Sequence, residues 1–135
     1  MHTETFELRT GSDRFTDITG RVSEVVARAG GGDGLCSVFL PHATAGLALF
    51  ETGAGTEDDV DETVDRLLPR DDRWRHAHGS PGHGADHVLP AFVSPSLTVP
   101  VVDGRLALGT WQSIVLVDPN VDNPVRTVRV SLLTS

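Results

Sequence analysis

The chain has 135 residues, of which 39% are hydrophobic, and a formal net charge of −8 from 19 acidic and 11 basic residues. This size supports one domain with one core, so we expect a single domain over residues 1–135. The acidic balance argues against nucleic-acid binding through a basic face, because the phosphate backbone would be repelled. Cys36 has no second cysteine with which to form an internal disulfide.

The N-terminal residues and the hydropathy of the chain lead to an expectation about location. Residues 1–7 lack the basic segment and apolar core of a secretory signal. No apolar stretch reaches the length of a membrane span. We therefore expect a cytoplasmic protein with no membrane partner.

The N-terminal part of the chain predicts a strand followed by an amphipathic helix. Alternating apolar and polar residues indicate a strand over 3–10, and Gly11-Ser12-Asp13 indicates a turn. Apolar residues then recur at helical spacing, which predicts a helix over 18–29 that ends at three consecutive glycines. Thr16 or Asp17 is the expected cap.

Two short apolar runs and an acidic helix come next. Residues 35–40 and 45–50 predict neighbouring buried strands. Thr56 opens a second helix, in which Asp59 completes a variant of the capping box, and Pro69 ends it. The acidic residues near its start favour a solvated helix end over a cation site, because they complement the helix dipole.

The rest of the chain predicts a long loop and a return to strands. Residues 70–95 are rich in histidine, glycine and proline, and long ordered loops in small domains are usually functional. Asp103-Gly104 is a strong hairpin signal between two of the later strands. These strands are predicted over 96–102, 105–108, 113–117 and 125–133. Two main helices among roughly seven strands indicate an α+β domain with a largely antiparallel sheet.

Histidines at separated positions form a candidate metal site. His42 follows a proline at a strand end, and the 70–95 loop supplies His76, His78, His83 and His87. A catalytic zinc site commonly has three protein ligands and keeps a fourth position for water. The alternatives are a structural, hydrogen-bonded His42 and a surface loop whose histidines titrate freely. The residues alone leave both alternatives open.

Polar residues at breaks between strands are further candidates for the site. Glu51 ends an apolar segment, where it would ligate a metal, orient a histidine or act as a general base, unless it is a solvated strand-end acid. Trp111 is expected in the core, and Gln112 is the better candidate for a substrate contact. Arg126 and Arg129 are three residues apart on a strand, so at most one of them can face the site.

Several motifs together carry a resemblance to a known family. They are His42-Ala43-Thr44-Ala45, Phe50-Glu51-Thr52, Trp74-Arg75-His76, His87, Gly104-Arg105, Gly109-Thr110-Trp111-Gln112 and Asp118. With these motifs the chain resembles the YjbQ family, described as secondary thiamine-phosphate synthases, over nearly its whole length. The family pattern has asparagine and a basic residue where this chain has Phe50 and Leu89.

The resemblance implies a compact α+β fold with a barrel-like core, assembled as a homotrimer with sites close to subunit contacts. It implies that His42, His76 and His87 gather around a divalent metal ion, with zinc expected and magnesium as the alternative. Glu51 would lie beside them, and Glu51 and His76 are the expected catalytic residues. His78 and His83 have no counterpart in the pattern and would then be loop residues.

The activity implied by the resemblance joins a hydroxymethylpyrimidine diphosphate to a thiazole phosphate and releases diphosphate. The expected contacts to this small phosphorylated substrate are Thr44, Ser96, Thr110, Gln112 and Asp118. Two other functions stay open at this point: a metal-dependent hydrolase, and a non-catalytic trimer that binds a metal or a metabolite.

Overall fold

The computed structural model describes residues 1–10 and 13–135 and contains two sheets. The larger sheet has five antiparallel strands. Strand β1 (His2–Arg9) pairs along its full length with the C-terminal strand, Val125–Thr134, from His2↔Leu132 to Arg9↔Val125. A third strand, Gly34–Phe39, pairs with the other side of the C-terminal strand and with Ser96–Val102, and Arg105–Leu106 completes the sheet. The turn predicted at Gly11-Ser12-Asp13 falls largely on residues outside the described ranges.

The smaller sheet has three antiparallel strands. In chain order the strands of the molecule are β1, β2 (Phe15–Asp17), β3 (Gly34–Phe39), β4 (Gly46–Phe50), β5 (Ser96–Val102), β6 (Arg105–Leu106), β7 (Ser113–Val117) and β8 (Val125–Thr134). The orders are β1-β8-β3-β5-β6 in the larger sheet and β2-β7-β4 in the smaller one. The prediction that the segments containing β3 and β4 are neighbours is wrong, because β8 and β5 already occupy both edges of β3.

Helix α1 (Thr19–Arg28) confirms the amphipathic helix expected from the sequence. Val22, Val25 and Val26 are buried, and they pack into the main core against the larger sheet. The helix begins one residue later than predicted, and it follows β2 (Phe15–Asp17), which pairs with β7. The prediction of Thr16 or Asp17 as the cap is wrong, because Ile18 holds the N-cap position, although the Asp17 carboxylate accepts the Thr19 N–H at 2.9 Å.

Helix α2 (Thr56–Leu67) is also confirmed, but its predicted capping box is wrong. Gly55 holds the N-cap position with φ 91°, so Thr56 is already the first helical residue and its side chain does not cap the helix. The Glu57 carboxylate instead accepts the Gly53 N–H at 3.0 Å. The left-handed Gly55 therefore shifts the cap by one residue, which a search for a polar cap does not detect.

The predicted 70–95 loop contains a third helix, α3 (His83–Val88), followed by a 3-10 turn at Leu89–Ala91. The helix is short, and Gly79, Pro81, Gly82 and Pro90 lie on either side of it, so the composition of the segment is typical of a loop. A Cβ at Gly84 would lie 2.4 Å from the His76 carbonyl oxygen and 2.6 Å from the Trp74 Cβ. Glycine thus lets α3 lie directly against the segment that carries His76.

Two clusters of buried side chains hold these elements together. The main cluster joins α1 to the larger sheet and includes Cys36. The second lies beneath α3, where Leu89 is 1% exposed and the Phe15 and Phe50 rings meet edge to face at 5.9 Å. Phe50 and Leu89, which both depart from the family pattern, therefore both serve apolar packing.

The architecture confirms the α+β class and the largely antiparallel, curled sheet. It contains three α-helices in the described residues, where two main helices were expected. The hairpin at Asp103-Gly104 is confirmed, with Val102 opposite Arg105 and both turn residues at positive φ. Within residues 1–10 and 13–135, every helix is too short or too polar to cross a membrane.

Candidate functional site

Three histidines meet where α3 packs on the preceding segment. His76, His83 and His87 each present a ring nitrogen, and these nitrogens all lie within 4.8 Å of one another. His83 and His87 are four residues apart on α3, so they occupy the same helix face. The close approach at Gly84 brings His76 to that face. Local helix geometry and one glycine contact thus assemble a site from two segments.

A carboxylate sets the orientation of the central histidine. The Nδ1 of His83 lies 2.7 Å from Oδ2 of Asp122. Hydrogen bonds from the Ser80 hydroxyl and backbone N–H lower the pKa of Asp122, so this carboxyl is ionised and can only accept. His83 therefore donates through Nδ1–H, and its other ring nitrogen, Nε2, lies 3.0 Å from Nε2 of His87. Metal-ligating histidines commonly have such a carboxylate partner.

A buried polar network holds Asp122 in place. Asp86 is buried and forms a two-pronged ion pair with Arg70. The side-chain amide of Asn120 donates to Asp86 at 3.0 Å, and its carbonyl oxygen accepts the Asp122 N–H at 3.0 Å. These contacts connect the core beneath α3 to the carboxylate that orients His83. The network is fully hydrogen-bonded, so it makes the site stiff.

The environment of the cluster favours neutral imidazoles. Desolvation and the repulsion from His78, His87 and His83 lower the pKa of His76. Desolvation, with the neighbouring His83 and His78, also lowers the pKa of His87, and the nearby Asp86 opposes this effect. Neutral imidazole is the form that binds metal ions. These side chains are therefore ready to act as ligands near neutral pH.

A cavity of about 290 Å³ adjoins the cluster. Its walls include Arg70, Trp74, His76, His78, Ser80 and His83. This volume is at the lower end of the size range for small-molecule sites, about 300–1,000 Å³. Arg70 is already paired with Asp86, so it offers little free charge to an anion. The cavity suits a small ligand that contacts the cluster through His76 and His83.

His42 lies apart from this cluster. Its Nε2 accepts the Thr127 N–H at 2.8 Å, which requires a neutral ring, and burial together with the Arg126 guanidinium lowers its pKa. The structure brings together His76 and His87, as expected, but with His83 in the place predicted for His42. The prediction that His83 is a loop residue is wrong, because His83 is the first residue of α3, and it lies in the cluster with His76 and His87.

Two of the expected substrate contacts, Thr44 and Asp118, are bonded to the buried Arg126 side chain. The Arg126 guanidinium, 1% exposed, donates to Asp118 at 2.6 and 2.8 Å and to the Thr44 hydroxyl at 2.8 Å. Asp118 is 3% exposed. Arg129 is exposed, so these two arginines do face opposite sides. Thr44 and Asp118 are thus engaged within the chain.

The other predicted contacts lie at the surface or at strand ends. The Gln112 side-chain oxygen accepts the Gly109 N–H at 2.8 Å and closes its own turn. Trp111 is 72% exposed, so its predicted place in the core is wrong. Ser96 and Thr110 are exposed, and Glu51 is half-buried just after β4. The structure does not gather these residues around the histidines of the cavity.

The sequence interpretation missed Asp122, Asn120 and Asp86. Asn120 and Asp122 lie in the polar segment between β7 and β8, which carries alternating amide and carboxylate side chains. The four-residue spacing of His83 and His87 was a usable signal, since that spacing on a helix places two imidazoles together. Asp122 is 39 residues from His83, so only folding reveals that contact.

Comparison with known proteins identifies relatives over the full length. Residues 4–135 match the family model described as UPF0047 protein YjbQ-like. UPF0047 protein Rv2556c of Mycobacterium tuberculosis (strain ATCC 25618 / H37Rv) is 59% identical over 133 residues, which cover 98% of each chain. A UPF0047 protein of Methanothermobacter thermautotrophicus is 32% identical and covers 98% of this chain and 92% of its own length.

Solved structures show the same fold. The hypothetical protein APE1520 from Aeropyrum pernix K1 has a TM-score of 0.91 and 32% identity, over 100% of both chains. The YbjQ-like protein of unknown function SSO2532 from Sulfolobus solfataricus P2 has a TM-score of 0.91 and 25% identity. It covers 98% of this chain and 96% of its own length.

These matches correct the expected activity. The family is described as UPF0047, and the structural neighbours are described as a hypothetical protein and a protein of unknown function. None of these descriptions carries thiamine-phosphate synthase chemistry, and the prediction of that transferase activity is wrong. The resemblance to YjbQ is confirmed by the family model and by the identity to curated relatives. The chain belongs to the UPF0047 protein YjbQ-like family.

Proposed function

We propose that this protein binds a divalent transition-metal ion, with zinc as the preferred ion, through His76, His83 and His87. One coordination position would remain for a small molecule. The observation that carries the proposal is the pair of facing nitrogens, Nε2 of His83 and Nε2 of His87, with His83 oriented by Asp122.

The chemistry of the donors favours a transition metal over magnesium. All three ligands are imidazoles, which suit zinc, copper, iron and nickel. Magnesium prefers oxygen ligands in octahedral geometry, and no carboxylate belongs to the set among the described residues. Zinc fits best because three protein ligands and one open position are its usual catalytic arrangement.

The chain contributes ligand orientation and access to this site. Asp122 fixes the tautomer of His83, and the network from Arg70 through Asp86 and Asn120 fixes Asp122. The adjoining cavity admits a small ligand to the same side as His76 and His83. A zinc ion held with an open position supplies Lewis acidity and lowers the pKa of a coordinated water to about 7.

We also propose a homotrimer, as the family resemblance implies. Leu35 and Leu133 are exposed and directly opposite each other on the outer face of the larger sheet, and the exposed Phe39 shares that face. An exposed apolar sheet face of this kind favours contact with another protein surface. Light scattering coupled to gel filtration tests the assembly. A cytoplasmic location stays a prediction.

Elemental analysis of untagged protein, incubated with zinc and then dialysed, tests the metal site. We expect about one zinc ion per chain in the wild type, and its loss in His83→Ala and His87→Ala. His42→Asn is the matched control, since this histidine lies outside the cluster. A wild type that takes up no metal would overturn the proposal. Retention of zinc in His83→Ala together with loss of zinc in His42→Asn would instead support the ligand set that the resemblance implies, with His42 in place of His83.

A further inference from the structure

We propose that His78 is a fourth, exchangeable ligand of the metal site, which closes the open coordination position until a small molecule displaces it. This inference rests on the proposed function, because it assigns a role at the same metal site. It would give the site two states, one with four imidazoles and one with three imidazoles and a bound ligand.

The spacing of the rings carries this inference. Imidazoles bound to one tetrahedral zinc ion, with Zn–N of about 2.0–2.1 Å, place their ring centroids roughly 5 Å apart. Within the three-histidine cluster the centroid distances are 4.1 Å for His76–His87, 4.7 Å for His83–His87 and 5.1 Å for His76–His83. The His78 ring lies 4.1 Å from His76 and 5.3 Å from His83, in the same range. The His78 ring therefore lies next to two of the three rings of the cluster.

The attachment of His78 explains why it would leave the metal more readily than His83. His83 is fixed by Asp122, whereas His78 is exposed and makes no hydrogen bond within the described part of the chain. Its nitrogens do not belong to the group that meets within 4.8 Å, so the ring must rotate to bind. Such a rotation needs no change in the fold, because the side chain is exposed.

The backbone around His78 keeps the ring within reach of the site. On one side, the backbone carbonyl of His76 lies against Gly84 of α3. On the other side, the Ser80 hydroxyl and backbone N–H both donate to Asp122, the carboxylate that also holds His83. His78 is thus tethered between two anchored residues. Its ring also lines the cavity, so a ligand entering the cavity competes with it for space and for the metal.

Cobalt(II) is the probe for this inference, because its visible spectrum reports coordination number and geometry. We would titrate Co²⁺ into the full-length wild type and His78→Ala, and then titrate azide into each cobalt-loaded protein. We expect His78→Ala to bind Co²⁺ roughly tenfold more weakly and to bind azide at roughly tenfold lower concentration. Added imidazole should restore the wild-type spectrum in the variant by filling the vacated position.

His2→Ala is the matched control, because His2 pairs with Glu4 on β1 and takes no part in the cluster. It should leave the cobalt spectrum and the azide titration unchanged. Equal cobalt affinity, spectra and azide titrations in the wild type and His78→Ala would overturn the role of His78 while leaving the metal site intact. A wild type that binds no Co²⁺ would overturn the metal site itself, and the inference with it.

Discussion

Asp122 is the residue on which the proposed metal site most depends outside the ligands themselves. Its Oδ2 accepts from Nδ1 of His83 at 2.7 Å and from the Ser80 N–H at 3.1 Å, and its Oδ1 accepts from the Ser80 hydroxyl. We expect Asp122→Asn and Asp122→Ala to weaken zinc binding without removing any ligand. The two substitutions differ in how much of this arrangement survives.

The geometry sets the size of each effect. In Asp122→Asn the amide oxygen can take the place of Oδ2, and the amide nitrogen can donate to the Ser80 hydroxyl, so the hydrogen bonds survive and only the charge is lost. Asp122→Ala loses all of them. Partners that orient metal ligands typically contribute 10- to 100-fold in affinity, about 1.4–2.7 kcal/mol. We therefore expect about a tenfold loss for asparagine and about a hundredfold loss for alanine.

Competition with a chromophoric chelator at pH 7.5 measures these affinities. Asp72→Asn is the matched control, because Asp72 lines the same cavity and has no hydrogen bond to the cluster in the described residues. Ser80→Ala removes one hydroxyl bond to Asp122 and should have a smaller effect than Asp122→Asn. Urea unfolding of each metal-free variant separates an effect on the site from an effect on the fold.

Zinc affinity in Asp122→Ala within about twofold of the wild type would refute this reasoning, provided that His87→Ala abolishes binding. Equal losses in Asp72→Asn and Asp122→Asn would also refute it, because net charge near the cavity would then explain both. A loss of affinity that follows the loss of fold stability across the variants would assign Asp122 a structural role only.

Three further predictions concern buried groups of the fold. Asp118→Asn leaves the Arg126 guanidinium buried without its counter-charge, so we expect a loss of about 3–5 kcal/mol in urea unfolding; an unchanged midpoint would contradict this. Burial raises the pKa of Cys36 to about 11, so the folded protein should not react with iodoacetamide at pH 8, whereas the urea-unfolded protein should react fully. Burial and Arg126 lower the pKa of His42, so the unfolded state takes up a proton first as the pH falls below about 6.5, and stability should decrease there. His42→Asn should make that decrease shallower, and an identical slope would argue against the neutral ring that accepts the Thr127 N–H.

Local patterns were sufficient for the elements that bury one regular face. The valines of α1 recur at helical spacing, and the alternation in β1 follows the pleat of a strand. Asp103-Gly104 predicts its hairpin because both residues tolerate positive φ. Residue type and loop context singled out the four histidines of the 70–95 loop as candidate ligands, and the family resemblance then selected His76 and His87 among them.

Local patterns were not sufficient where a long-range contact decides the conformation. The composition of the segment that contains helix α3 indicates a loop. Its Gly84 is nevertheless needed for the close contact with His76. Trp111 is a large aromatic residue, and its exposure follows from the turn that Gln112 closes with Gly109. Neither outcome is encoded in hydrophobic periodicity.

The sequence by itself determined the α+β class, most of the strands and two helices, the membership of the family and the supply of imidazoles. Each of these depends on residue type or on spacing within a few residues. Only the tertiary structure decided which histidines meet, since His42 is bonded to Thr127 and His83 to Asp122, over separations of 85 and 39 residues. Contacts of that range depend on the packing of sheets and helices, which no local periodicity specifies.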